Sequence, residues 1–264
     1  MRTDKEHELI TPSKLEYLRC KVLPIEAALL NLSLGKLFTG QLFDEEDEPI
    51  NGLFLPDIGR QGTTLTAAEV GRLFMAPDFS IISFRTLAER YDGTPAGLHV
   101  FSTNDFVQPD EQVDVVVYKD AHGNGVRIDA LNLSRVMLNN DAPERLCTVA
   151  FSLLACTAYR KGFDEVTLFA AGRGYGGSSL DKDDLVGYQV WPKFGFDAPL
   201  VPADLNRNPQ LAKCRSVQDV LAVDARWWEA NGRGMEMRFD LSADSPSWRV
   251  LLNYLSTKFA KEWR

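Results

Sequence analysis

The stretch from Glu144 to Ala171 constrains the fold most. Leu146, Val149, Ala150, Leu153, Leu154, Thr157 and Ala158 recur at intervals of three and four, so a helix over 144–161 buries one broad face. Gly162 stops it, and Asp141 and Pro143 precede it as a cap and a first-turn proline. Residues 165–171 then form a short, nearly all-apolar strand, as expected at a sheet centre covered on both faces.

The neighbouring segments supply the sheet. Val113–Tyr118 alternates and is β-branched, 120–125 carries turn chemistry, and Val126–Leu131 alternates again, which together read as a hairpin with His122 in its turn. Thr66-Ala67-Ala68-Glu69 has the spacing of a capping box and predicts a short helix to about Met75, stopped by Pro77. A second short helix is expected over 84–91, ended by Asp92-Gly93. Residues 185–194 hold a short helix limited by Pro192, and 196–201 a strand. Further expected elements are a helix over 217–229, a strand over 235–241 and a last helix opened by Ser245-Pro246. In that helix Trp248, Leu251, Leu252, Leu255 and Phe259 form an apolar stripe that suits a core. The expected class is α/β, with a mixed, mostly antiparallel twisted sheet flanked by helices. An N-terminal extension (1–60), a core (61–200) and a C-terminal part (201–264) divide the chain.

With 264 residues, 45% of them hydrophobic and 25% charged, the chain can bury a core without disulfides or metal. The net charge of −8 argues against binding a phosphate backbone, so no nucleic acid is expected. The acidic run Asp44–Glu48 reads as a solvated loop. Cys20, Cys147, Cys156 and Cys214 show no Cys-x-x-Cys spacing and read as reduced, buried thiols of a reducing compartment. The polar N-terminus lacks the apolar stretch of a signal peptide, and no run approaches the roughly 20 apolar residues of a membrane span. A cytoplasmic location is the expectation.

From Val113 to Phe196 the order is strand, turn, strand, helix, strand, glycine loop, short helix, strand. The segment 158–168, Ala-Tyr-Arg-Lys-Gly-Phe-Asp-Glu-Val-Thr-Leu, resembles the join after the long central helix of the GNAT acyltransferase superfamily. The segment 188–196, Tyr-Gln-Val-Trp-Pro-Lys-Phe-Gly-Phe, is similar to that family's aromatic-Tyr-x-Lys-Leu-Gly-Phe stretch. Two short helices before the hairpin fit the same order. The resemblance covers about residues 60–200 and implies a transferase taking an acyl group from acetyl-CoA or another acyl-CoA to an amine. It implies coenzyme A binding where the central helix opens, at Arg145, Leu146 and Cys147. The family's small residues there are replaced by Arg145 and Cys147, Pro143 lacks an amide donor, and Glu144 brings a negative charge. The family's acid tyrosine falls on Trp191, and indole does no acid–base work. Tyr188 or Tyr175 could substitute, with Asp129 as the base.

The loop 172–179 contains Gly172, Gly174 and Gly177 at Gly-x-Gly-x-x-Gly spacing after an apolar strand, but the residues after Gly177 are a weak helix opening. Its amides, with Arg173 and Gly174, suit a phosphate or carboxylate nest. Cys147 at a helix start is a conceivable nucleophile. However, only His7, His99 and His122 are available as bases, and none is placed beside it by the sequence. No Gly-x-Ser-x-Gly elbow and no metal-ligand cluster is present, so no metal is expected. The readings that stay open are an acyltransferase-like enzyme, a non-catalytic scaffold of the same fold that holds a protein partner, and an enzyme of another class built around the glycine loop.

Overall fold

The computed structural model describes residues 12–55, 62–91, 94–119, 126–172, 185–205 and 208–263. The fold is α/β. Its centre is a six-stranded sheet whose spatial order follows the chain: β3 (Ile81–Leu87), β4 (Gly97–Thr103), β5 (Val113–Lys119), β6 (Val126–Arg135), β7 (Glu165–Ala170) and β8 (Met235–Asp240). Every neighbouring pair is antiparallel except β6 and β7. A parallel pair needs a crossover, and α4 (Leu146–Lys161) provides it. A separate two-stranded ribbon pairs β1 (Gly52–Leu55) with β2 (Thr63–Thr66).

The helices follow their local signals with two exceptions. Thr66 and Glu69 close a capping box at α3 (Ala67–Leu73). Ser216 and Asp219 do the same at α6 (Val217–Asn231), which is kinked at Asp224. Ser245 caps α7 (Pro246–Lys258) through the amide of Trp248. The apolar N-terminal stretch is helical: α1 (Pro12–Tyr17) passes through a π turn at Leu18–Val22 into α2 (Leu23–Asn31). The segment 185–194 becomes α5 (Gly187–Val190) followed by a 3-10 turn, Trp191–Phe194. Residues 196–201 make only two isolated bridges, one of which joins Asp197 to Arg238 at the outer edge of β8.

The first exception is the helix expected over 84–91. Residues 81–87 are instead strand β3, paired in register with β4 from Ile81↔Thr103 to Leu87↔Gly97. Ile-Ile-Ser-Phe-Arg-Thr-Leu has the β-branched, half-buried character that a neighbouring strand rewards. The order of two short helices before the hairpin is therefore not met. The second exception is the start of α4. Asp141 does not cap it. Arg145 occupies the N-cap position in a left-handed conformation (φ 72°), and the helix begins at Leu146.

One face of the sheet carries the core. Leu131, Leu133, Val166, Leu168, Ala170, Met237 and Phe239 are buried, and Phe151 of α4 sits 5.4 Å from Phe239 and 5.1 Å from Phe196, ring centre to ring centre. Trp248 of α7 meets Phe239 edge-on at 5.5 Å. On the opposite face Asn132, Thr167 and Arg238 form a row across β6, β7 and β8 that is half-buried or exposed. No helix among the described residues is long and apolar enough to cross a membrane.

An ionic cluster ties the C-terminal end of α4 to α2 and α3. Glu26 meets Arg72 at 3.4 Å and Arg160 at 3.2 Å, while Glu69 meets Arg160 at 3.4 Å and Lys161 at 2.8 Å. Both carboxylates are buried. Burial pushes the Glu69 carboxyl up. The hydrogen bonds from Lys161 and from the Thr66 amide, with the charges of Lys161 and Arg160, outweigh that and hold it below its ordinary 4.5. A carboxyl depressed in the folded state contributes stability above its unfolded value and loses it as pH falls through the folded one. Glu69→Gln is expected to cost about 1–3 kcal/mol near neutral pH, because half-buried Lys161 loses its carboxylate partner and Arg160 keeps only Glu26. The gap between wild type and variant should shrink as pH drops below about 4.5. Denaturant melts at several pH values check this, and a gap that widens in acid would contradict it.

Candidate functional site

The β6–β7 ladder ends early. Its last paired residues are Leu133 and Leu168, although β6 continues to Arg135 and β7 to Ala170. Beyond that point β7 stays with β8, through Phe169↔Glu236 and Ala170↔Met235. β6 stays near β5, where a register shift sets Asp114 opposite Arg135 and Val115 opposite Leu133, leaving Ser134 as an extra residue. The two strands diverge and leave a wedge at their C-terminal ends.

That wedge is a cleft of about 1280 Å³. Its walls include Ser134–Leu138 at and beyond the end of β6, Leu168 and Phe169 of β7 with Ala171 just after it, Val190 at the end of α5 with Trp191 next to it, and Cys147 at the start of α4. On the open sheet face it reaches Asn132, Thr167, Glu236 and Arg238. The carboxyl ends of parallel strands, beside the N-terminus of their crossover helix, are the usual ligand position in sheets of this kind. Most charges in the wall are engaged. Arg135 binds Glu111 at 2.6 Å, Arg238 binds Glu165 at 3.3 Å, and Arg215 donates to the carbonyls of Ala212 and Cys214. Asn132 Nδ2 donates to Thr167 Oγ1 at 3.0 Å, and the hydroxyls of Thr94 and Ser134 lie 3.1 Å apart.

The residues singled out by sequence divide sharply between the cleft and elsewhere. Cys147 lines the cleft. Arg145, two positions before it, is turned to the end of α7. Its Nη1 donates to the Lys258 carbonyl and to Glu262 Oε1, both at 3.1 Å, and its guanidinium lies 5.5 Å from the Phe259 ring centre. Leu146 is buried, and its amide is taken by the Pro143 carbonyl at 3.0 Å. The first helical bond of α4 runs from Val149 to Arg145, so the amides of Cys147 and Thr148 have no acceptor within the helix. Glu144 is directed to solvent, with its side chain 90% exposed.

Tyr188 is not in the cleft wall. Its hydroxyl donates to the Glu229 carbonyl at 3.3 Å and accepts from Gln189 Nε2 at 2.9 Å, and its own carbonyl accepts from Trp228 Nε1 at 2.9 Å. Its ring lies against Gly172, where an added Cβ would come within 2.3 Å of it. Tyr188 therefore joins α5 to α6. Trp191, at the position of the family's acid, lines the cleft and stacks edge-on against Phe151, Phe194 and Phe196. Asp129 belongs to β6, with its side chain outside the described residues, as are Arg173, Gly174, Tyr175, His7 and His122.

The sequence reading missed one polar constellation. His99 of β4 and Asp114 of β5 are buried side by side, with Nδ1 at 3.1 and 3.2 Å from the two carboxylate oxygens. Arg90 reaches Asp114 at 3.3 Å, and His99 Nε2 has no hydrogen-bond partner among the described residues. His99 is not in the cleft wall. The available signal was the lone acid in Val113-Asp114-Val115-Val116-Val117, since a carboxylate in so apolar a strand needs a partner. Among the described residues no three His, Cys, Asp or Glu side chains converge as a metal site requires.

Burial pushes the Cys147 thiol up to about 12, so it stays protonated near neutral pH despite its place at a helix start. Cys156 is shifted the same way by burial. Only Cys20 is exposed. Iodoacetamide near pH 7.5 should alkylate Cys20 first and leave Cys147 largely unmodified until the protein is denatured, as read by peptide mass spectrometry. Rapid labelling of Cys147 in the folded protein would show a thiolate there and contradict this account.

No protein-family model, no curated protein and no solved structure matches this chain.

Proposed function

We propose that this chain is an acyltransferase-like protein whose cleft receives the acyl end of an acyl-CoA. The observation that carries the reading is the parting of β6 and β7 after Leu133 and Leu168, which opens the cleft where α4 begins. Backbone groups that the ladder no longer pairs can bond a narrow, extended, amide-bearing ligand along the wedge. The amides of Cys147 and Thr148, which have no acceptor within the helix, favour negative charge at the mouth together with the helix dipole. The order of antiparallel strands β5 and β6, crossover helix α4 and strand β7 also supports it. In this reading the protein's part is to align the thioester, exclude water from the wedge and hold the acceptor on the open face. There Glu236 and Asp240 provide carboxylates beside the cleft.

A second reading is favoured by one observation. Trp191 lies in the wall where the family resemblance puts an acid, and the Tyr188 hydroxyl is bonded to the Glu229 carbonyl outside the wall. On that ground the same cleft would bind its ligand without turnover, as a scaffold for a protein partner.

Calorimetric titration with acetyl-CoA separates the outcomes. The proposal predicts a dissociation constant on the order of micromolar. It also predicts release of free coenzyme A, followed by mass spectrometry, when amines are supplied. Binding without release would support the scaffold reading. No heat at millimolar acetyl-CoA would overturn both uses of the cleft for an acyl-CoA.

A further inference from the structure

The two edges of the six-stranded sheet are treated differently. β8 is covered at Arg238 by Asp197, through hydrogen bonds in both directions at 2.9 Å. Among the described residues β3 is covered only at its start, where Phe43 donates to the Ser80 carbonyl and accepts from the Ile82 amide. Backbone groups alternate along a strand. Even-numbered residues of β3 therefore face outward and odd-numbered ones face β4. The amides and carbonyls of Phe84 and Thr86 point away from the sheet, and no partner for them is found among the described residues. Such an edge is a template for another strand.

The surroundings of this edge are apolar and acidic. Phe79 is 68% exposed, Ile81 42% and Phe84 36%. Phe79 also adopts a left-handed conformation (φ 67°), which is unusual for a bulky side chain. It is held there rigidly: its amide donates to the Gln41 carbonyl, and Asp78 Oδ1 collects the amides of Thr39, Gly40 and Gln41. Backbone strain that displays an aromatic ring to solvent points to a contact made by that ring. Beside it, the turn Asp44–Glu48 is ordered by Asp44 Oδ1, which accepts from the amides of Glu46 and Glu48. Of its acidic side chains Glu45 is matched by Arg85 at 3.4 Å.

We infer that the outer edge of β3 binds an extended segment of a partner protein that carries alternating basic and apolar residues. The segment adds a seventh strand through Phe84 and Thr86, sets its apolar side chains on the sheet face that carries Phe84, and places Lys or Arg on the other face, where Arg85 meets Glu45 of the acidic turn. A second copy is the poorer occupant, because each chain has a net charge of −8 and would bring its own acidic turn. The inference rests on the sheet edge and is independent of the cleft.

The probe is a fluorescein-labelled peptide of four Lys-Val repeats, with the Glu-Val peptide as control, read by anisotropy. The Lys-Val peptide should bind, more weakly as salt rises, and the control should not. Thr86→Pro removes one outward amide without touching the β3–β4 ladder and is tolerated at an edge. It should weaken binding about ten-fold at an unchanged melting temperature. Replacing Glu45, Glu46 and Glu48 with Gln should weaken it as well. On wild type, the amides of Phe84 and Thr86 should gain hydrogen-exchange protection when peptide is added, which tests the idea even if the proline variant fails to fold. Equal binding of both peptides, protection elsewhere, or no binding at millimolar peptide would overturn the inference. A concentration-dependent dimer abolished by Thr86→Pro would overturn it too, by making a second copy the occupant.

Discussion

The architecture depends on how completely α4 is buried. Every residue of that helix except Cys147, Arg160 and Lys161 is buried, including the polar Thr148, Ser152 and Thr157. A helix covered all round needs the sheet on one side and other helices on the rest. α2, α3 and α7 fill that role, and the Phe151 ring meets Trp191, Phe194, Phe196 and Phe239. Burying an aromatic cluster of this size is the main favourable term available to a chain without disulfides. It also fixes the direction of β7, because a crossover through α4 returns the chain parallel to β6.

The wedge arises from the same constraint. β7 serves two partners: it runs parallel to β6 near Leu131 and Leu133, and antiparallel to β8 along its whole length. The bulge at Ser134 turns β6 toward β5 just where β7 leaves it. The cleft is thus a product of strand pairing, and its position beside the first turn of α4 needs no special residue. Specificity would have to come from side chains in the wall, and those are chiefly apolar or already paired. At the other end of α4, Arg160 and Lys161 stand where the helix dipole favours cations, and Glu26 and Glu69 neutralise them in a buried setting.

Elements set by local chemistry were legible in the sequence. The capping box of Thr66 and Glu69, the Ser245 cap, the hairpin strands β5 and β6, and the Gly162 stop all depend on residues within a few positions of one another. β3 and β4 were not read, because each seven-residue strand is chosen by the strands beside it and not by its own periodicity. The start of α4 was misplaced for a related reason. Arg145 holds its left-handed cap through contacts with Lys258, Phe259 and Glu262, more than a hundred positions away. Tyr188 looked like an acid because its string resembled a family motif. Its partner Glu229 lies 41 residues on, and only the folded chain brings the two together. The His99–Asp114 pair stayed hidden for the same reason as β4.

The central claim is that the parted strands β6 and β7 form a ligand site. Amide hydrogen exchange, measured with and without acetyl-CoA, addresses that claim segment by segment. The account predicts added protection confined to the walls of the wedge, at 134–138 and 168–171, and at the first turn of α4. Protection that appears only outside those segments, or none under conditions where acetyl-CoA binds, would contradict it.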